Sequence, residues 1–238
     1  MALPVLNSAT YELEIPSSGE TIKYRPFVVK EEKVLLTVLE SQDMTQITRT
    51  LRDVIEACTF NKVKIDDLAM FDLEYIFLKI RAKSVGEKAT ILLTCSECET
   101  QNENVINLDA LELKGDPKAK AKIQLSDEVG ITMKYPPVHR VEKLMKAVNQ
   151  DGSAIDVILA MIAASIDSIF DVENVYDAKD HKPEEIMEFL ESLNKEQFEK
   201  VQQFFEEFPK LKEDVHFKCS NCGSDNTVTL EGMADFFG

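Results

Sequence analysis

Polar and apolar positions alternate from the start of the chain. TYELEIPSSGETIKYRPF (10–27) does so on either side of a Pro-Ser-Ser-Gly turn and predicts a β-hairpin. The period then changes from two to 3.6. Val34, Leu35, Val38 and Leu39 share one face of a helix over about 30–40, and Ile47, Leu51, Val54, Ile55 and Cys58 form the stripe of a second from about Thr45. A third helix, 66–84, carries Leu68, Phe71, Tyr75, Leu78 and Ala82 along one side. It carries Leu73, Ile76, Phe77 and Ile80 on others, so it should be covered on more than one face.

Strand patterns return near 89–94 and 104–108. LKGDPKAKAK (113–122), with its Gly, Pro and four lysines, reads as a connecting loop. A strand pair follows around 122–125 and 131–135, ended by Pro136 and Pro137. The second half reads as helices at 138–148 and 153–166, an acidic irregular passage over 167–182, and an αα-hairpin. Pro183 suits the first position of the hairpin's first helix, which carries Ile186, Met187, Phe189, Leu190 and Leu193. Asn194 with Gln197 has the form of an N-cap and its box partner for the second, which carries Phe198, Val201, Phe204, Phe205 and Phe208 and stops at Pro209.

Two short stretches repeat one pattern. TCSECETQNENVINL begins at Thr94 and KCSNCGSDNTVTL at Lys218, each a strand, a Cys-Ser-x-Cys, polar turn residues and a second strand. A redox CxxC precedes a helix N-terminus that lowers the attacking thiol's pKa. Neither pair does so here. Two CxxC turns on β-hairpins are what a zinc ribbon uses, which assigns Cys95, Cys98, Cys219 and Cys222 as ligands of a structural Zn²⁺ with no coordination position left for water. The alternative is a pair of metal-free hairpins whose cysteines serve packing. Gly223 suits a φ > 0 residue after the second pair, while Glu99 holds the matching place in the first. His216, three residues before Cys219, is a candidate substitute ligand; the competing reading, favoured by strand alternation, points it off the other face. Cys58 fits a buried small hydrophobe. In a typical ribbon about 15–20 residues separate the pairs; here 120 lie between Cys98 and Cys219.

The fold class is therefore α+β, mostly helical, with an N-terminal β-hairpin and a split zinc ribbon formed by two CxxC β-hairpins. It divides into 1–88 (hairpin and helices), 89–135 (first cysteine hairpin and strand pair), 136–212 (helical region) and 213–238 (second cysteine hairpin).

Composition narrows the function. Of 238 residues 44% are apolar and 13 are Phe, which suits a folded chain. Forty-three acidic against 27 basic side chains give −16, a field that repels phosphate backbones and anionic lipid. No secretory signal is expected, and the most apolar run, 154–166, falls short of the roughly 20 residues a bilayer needs. A reducing cytoplasm follows, where paired cysteines favour metal over disulfides. Gly-rich phosphate loops, GxSxG and HExxH are missing, and His139, His181 and His216 lie in no triad pattern. The acids Asp167, Asp171, Glu173, Asp177 and Asp180 lack EF-hand spacing. The chain is expected not to be an enzyme. A zinc-ribbon nucleic-acid-binding regulatory protein is the alternative; acids flanking both cysteine turns oppose it.

The stretches YELEIPSSGETIKYRPFVVKEEKVLL, IDDLAMFDLEYIFLKIRAKSVGE, TCSEC and FKCSNCGSDNTVTLEGMADFF together resemble the baseplate hub assembly proteins of T-even-type contractile-tailed phages. The resemblance covers the first 100 residues and the C-terminal tail best. It implies a late protein needed to build the baseplate hub, acting in the host bacterial cytoplasm as an assembly factor or chaperone, or staying in the virion tail baseplate as a hub component. Its partners would be other baseplate hub and tail proteins, not nucleic acid or membrane. Phe198, Phe205, Met233, Phe236 and Phe237 are the candidate partner contacts; the competing reading buries the hairpin phenylalanines in the protein's own core.

Overall fold

The computed structural model of the chain describes residues 8–41, 44–118, 121–141, 143, 154–206 and 208–232. The chain divides into two compact units: Met1–Ile65 with Phe71–Lys114 and Lys210–Gly238, and Asp66–Met70 with Gly115–Pro209. The sequence segment 89–135 is thus shared between them.

The first unit opens with the expected hairpin, β1 (Tyr11–Glu14) against β2 (Thr21–Tyr24). Its alternation sends Leu13, Ile15, Ile22 and Tyr24 inward. Ser17, in the turn, donates its N–H and hydroxyl to the carboxylate of Asp72 at 2.9 and 2.6 Å, satisfying an acid that is completely buried. The helices are α1 (Val29–Ser41), α2 (Met44–Cys58) and α3 (Met70–Ser84). On α1 only Leu35 of the predicted stripe is buried; Val34 is exposed and the Leu39 side chain lies outside the described residues. The α2 stripe points inward as predicted, through Leu51, Val54, Ile55 and Cys58.

Burial of α3 on several faces follows its sequence: Leu73, Ile76, Leu78 and Ile80 are at most 1% exposed. The helix starts at Met70 rather than 66. The backbone before it is used elsewhere: Ala69 bridges Pro137, and the Leu68 carbonyl accepts from the Val138 N–H at 2.8 Å.

Two cysteine hairpins complete this unit, β3 (Lys88–Thr94) with β4 (Gln101–Asn107), and β10 (Lys210–Lys218) with β11 (Asp225–Glu231). Leu78 and Ala82 of α3 share one core cluster with Ala89, Ile91, Leu93 and Ile106 of the first hairpin and Leu211 and Leu230 of the second. One helix face thereby covers the inner faces of both. The stretch read as a loop from residue 113 begins as a strand, β5 (Leu113–Lys114), hydrogen-bonded to β10 with Leu113 opposite Leu211. The chain leaves for residues 115–209 and returns through adjacent strands, which accounts for the long interval between the CxxC pairs.

The second unit contains a four-stranded antiparallel sheet in the order β6 (Ala121–Gln124), β7 (Gly130–Met133), β8 (Ile166–Phe170), β9 (Val175–Asp177). The passage read as irregular is therefore a β8–β9 hairpin followed by a 3-10 turn at Ala178–Asp180. Two things hid it. Helix α4 (Ala154–Ser165) runs into β8 with no breaker between them, and the acidic residues mask a short alternation in which Ile166 and Ser168 are buried. Of the helix expected at 138–148, residues 138–141 and 143 are helical and the others lie outside the described residues. The αα-hairpin is present as α5 (Pro183–Glu191) and α6 (Lys195–Glu206). Its second cap is the predicted one: Asn194 Oδ1 accepts from the Gln197 N–H at 3.0 Å, and Gln197 Oε1 from the Asn194 N–H at 2.9 Å.

The fold is mixed α+β, but the expectation of a mostly helical chain is corrected, since the described residues form eleven strands beside the helices. The strands are short, and short strands leave weaker periodic signals than helices do. Among the described residues, no helix is long and apolar enough to cross a membrane.

Candidate metal centre

Each cysteine hairpin turns through six residues, 95–100 in the first and 219–224 in the second, and the two turns are built alike. The first cysteine of each donates its N–H to the sixth residue's carbonyl (Cys95 to Thr100 and Cys219 to Ser224, both 2.9 Å), and its own carbonyl accepts the fifth residue's N–H (Glu99 and Gly223, both 3.0 Å). That fifth residue takes a left-handed conformation in both, φ +75° at Gly223 and +57° at Glu99. Glycine adopts it freely. For Glu99 it costs about 1–2 kcal/mol, so the turn geometry overrides the residue's preference.

The turns face each other. Cys95 Sγ lies 3.7 Å from Cys222 Sγ and Cys98 Sγ 3.6 Å from Cys219 Sγ, and all four sulfurs fall within 4.8 Å of one another. A tetrahedron of thiolates with metal–sulfur bonds of about 2.3 Å has sulfur–sulfur edges of about 3.8 Å. The two shortest sulfur–sulfur distances match that edge, and the set as a whole is compatible with a metal ion. His216 is not part of it: it is exposed, its Nδ1 2.8 Å from the hydroxyl of Thr227 on the neighbouring strand. Cys58 is fully buried elsewhere in this unit, and burial pushes its thiol up to about 11.

A second set of contacts joins the turns, one that the sequence reading missed. Asn226 Oδ1 accepts from the N–H and hydroxyl of Ser96, both at 3.0 Å, while its Nδ2 donates to the Ser224 carbonyl (3.1 Å) and to Cys95 Sγ (3.5 Å). Asn102 does the same in reverse: Oδ1 accepts from the N–H and hydroxyl of Ser220 (2.8 and 2.9 Å), and Nδ2 donates to the Thr100 carbonyl (2.8 Å) and to Cys219 Sγ (3.7 Å). Both asparagines are 7% exposed. Each hairpin thus holds the other's turn through a buried amide, an arrangement with approximate two-fold symmetry. The signal was present in the repeat, since both copies read C-S-x-C-x-(S/T)-x-N.

This network sets the electrostatics. The Ser224 hydroxyl holds the Cys95 thiol down to about 5, against the opposing effect of burial. Thr100 likewise lowers Cys98. At Cys222 the Ser224 hydroxyl also lowers, but the thiols of Cys98 and Cys219 together with burial outweigh it and the group is raised. Four sulfurs at these distances repel one another as anions, and a cation between them relieves that repulsion. The chemistry the donor set offers is closed coordination, with four side-chain sulfurs and no position reserved for substrate.

The structure places the other candidate residues as follows. Phe198 and Phe205 are half-buried on α6, packed against the second unit's core, and the Phe205 ring lies 4.8 Å from that of Phe208. Met233, Phe236 and Phe237 lie outside the described residues.

A family model described as T4 bacteriophage base plate protein matches residues 8–238. No curated protein and no solved structure matches the chain.

Proposed function

The chain belongs to the T4 bacteriophage base plate protein family, and from that membership we propose that it serves construction of the baseplate hub as a non-enzymatic protein, held in shape by one structural zinc on Cys95, Cys98, Cys219 and Cys222. It acts through contacts with other hub and tail proteins in the host bacterial cytoplasm, as an assembly factor or chaperone or as a hub component carried into the virion. The observation that carries this reading is the family match over nearly the whole chain. The closed thiol set adds physical support: a four-cysteine zinc site is structural, and its binding free energy, on the order of 10 kcal/mol, becomes folding free energy that fastens the C-terminal hairpin to the mid-chain one. The net charge of −16 disfavours the nucleic-acid reading.

An affinity-tagged copy expressed during phage infection tests the proposal. Mass spectrometry of the captured proteins should show baseplate hub components enriched over other virion proteins, and the same measurement on purified virions separates the chaperone role (absent) from the hub-subunit role (present). Capture of no baseplate protein, or tight binding of DNA or RNA at moderate salt by the purified chain, would overturn it.

A further inference from the structure

Strand β9 ends the four-stranded sheet of the second unit, and among the described residues nothing pairs with its outer edge. Edge strands are normally protected by charge, proline or a covering element, because an open ladder of N–H and C=O groups invites another strand. This edge is short, three residues ending at the charged Asp177, and it carries exposed apolar side chains: Val175 is 70% and Tyr176 39% exposed, and Val172 at the tip of the β8–β9 hairpin is 77% exposed. Alternation fixes which backbone groups are open. The Asp171 N–H bonds the Asn174 carbonyl across the tip, so the paired residues Ile169 and Tyr176 exchange the next bonds. The N–H and C=O of Val175 and the N–H of Asp177 therefore point away from β8, while the Asp177 carbonyl is taken up by the 3-10 turn at Ala178–Asp180.

Beside this edge, between the sheet and α5, lies a groove of about 300 Å³ whose wall is apolar at Val129, Ile169, Phe170, Ile186 and Phe189 and polar at Asp171, His181 and Glu185. Its surroundings are strongly acidic. Residues 167–191 hold nine acidic side chains and two lysines, and Glu173, Asp177, Asp180, Glu184, Glu185 and Glu188 are exposed.

We infer that β9 and this groove form a docking site for an extended, basic segment of a partner protein, which adds to the sheet as a fifth strand, seats an aliphatic or aromatic side chain in the groove and sets its Lys or Arg residues against the acidic rim. Backbone pairing supplies affinity in this mode, and the pocket and charge supply selectivity. The site lies wholly within the second unit and does not depend on the cysteine centre.

The probe is a fluorescein-labelled decapeptide alternating lysine with valine around a central phenylalanine, followed by fluorescence anisotropy on the purified full chain. A control peptide has glutamate in place of lysine. The lysine peptide should bind, with affinity falling as salt rises, and the glutamate peptide should bind at least about tenfold more weakly. Val175→Pro removes one outward N–H without touching the β8–β9 ladder, and Val175→Lys adds like charge at an exposed position; each should weaken binding about tenfold with the melting temperature unchanged. Circular dichroism melts check that both variants fold. No binding of the lysine peptide, or equal binding by Val175→Pro, overturns the inference. So does a homodimer of the wild-type chain that Val175→Lys dissociates, since the edge would then serve a second copy of this chain.

Discussion

Replacing Asn226 by alanine tests the reciprocal lock between the two cysteine turns. The side chain is 7% exposed and joins three groups: Ser96 through its N–H and hydroxyl, the Ser224 carbonyl, and the Cys95 sulfur. Truncation removes these hydrogen bonds and leaves the Ser96 N–H without its partner, while the Ser224 carbonyl keeps only the Cys219 N–H at 2.9 Å. At about 0.5–1.5 kcal/mol net for each bond, and more where a shielded group is orphaned, the loss should be about 2–4 kcal/mol of unfolding free energy. Because Nδ2 also donates to a sulfur of the centre, metal affinity should drop roughly 10–100-fold, as it does when groups that orient ligands are removed. Asn102→Ala should match both figures, since its contacts are the same in reverse. Asn221→Ala is the internal control: this exposed amide contacts Thr100 and Cys98 from the rim, at 3.2 and 3.7 Å, and should cost less than about 0.5 kcal/mol. The assays are urea unfolding of the metal-loaded protein and competition for zinc with a chromophoric chelator. If Asn226→Ala and Asn102→Ala change stability and affinity no more than Asn221→Ala does, the hairpins are not held in this way.

Gly223→Ala should lose about 1 kcal/mol by thermal denaturation, because the added Cβ meets nothing nearer than Lys218 Cε at 4.0 Å, an ordinary contact, and the cost is the left-handed backbone at φ +75°. Glu99→Gly, at the equivalent turn position, should gain up to about 1 kcal/mol for the same reason. Gly130→Ala would drive a methyl group into the Phe170 ring and to 2.8 Å from the Ile123 carbonyl oxygen, so a loss of about 2 kcal/mol or more is expected with metal content unchanged. Burial, with a smaller contribution from the Glu231 carboxylate, pushes the Glu74 carboxyl above its ordinary range. A carboxyl raised in the folded state destabilises at pH values above its unfolded pKa and ceases to do so below it. Glu74→Gln should therefore raise stability at pH 7, with the gain shrinking toward zero as pH falls below about 4.5 in denaturant titrations across that range.

Local chemistry made much of the fold legible. Period-two alternation around Pro-Ser-Ser-Gly gave the first hairpin, the multi-faced stripe of α3 gave its burial, and the Asn194–Gln197 box gave the start of α6. The four cysteines were legible because the CxxC pattern occurs twice, each time between strands. What was hidden depends on distance along the chain. The partner of Leu113 is Leu211, so β5 could not be read from its own two residues. Strands β8 and β9 are stable only as part of a sheet whose first half lies some 30 residues earlier, and their acids suited solvent exposure as well as they suit a strand's outer face. The asparagine lock was readable in principle as a repeated Ser and Asn at fixed offsets from the cysteines. Its meaning appears only when the hairpins are placed turn to turn, since each Asn's carbonyl oxygen bonds a serine of the opposite hairpin.

The account rests on one ion holding two distant turns together. Inductively coupled plasma mass spectrometry of the full chain, purified without chelator, measures that directly. One zinc per chain is predicted, lost on Cys95→Ser together with Cys219→Ser and accompanied by a large fall in melting temperature. Wild-type protein that carries no metal and melts at the same temperature with or without added zinc would contradict it.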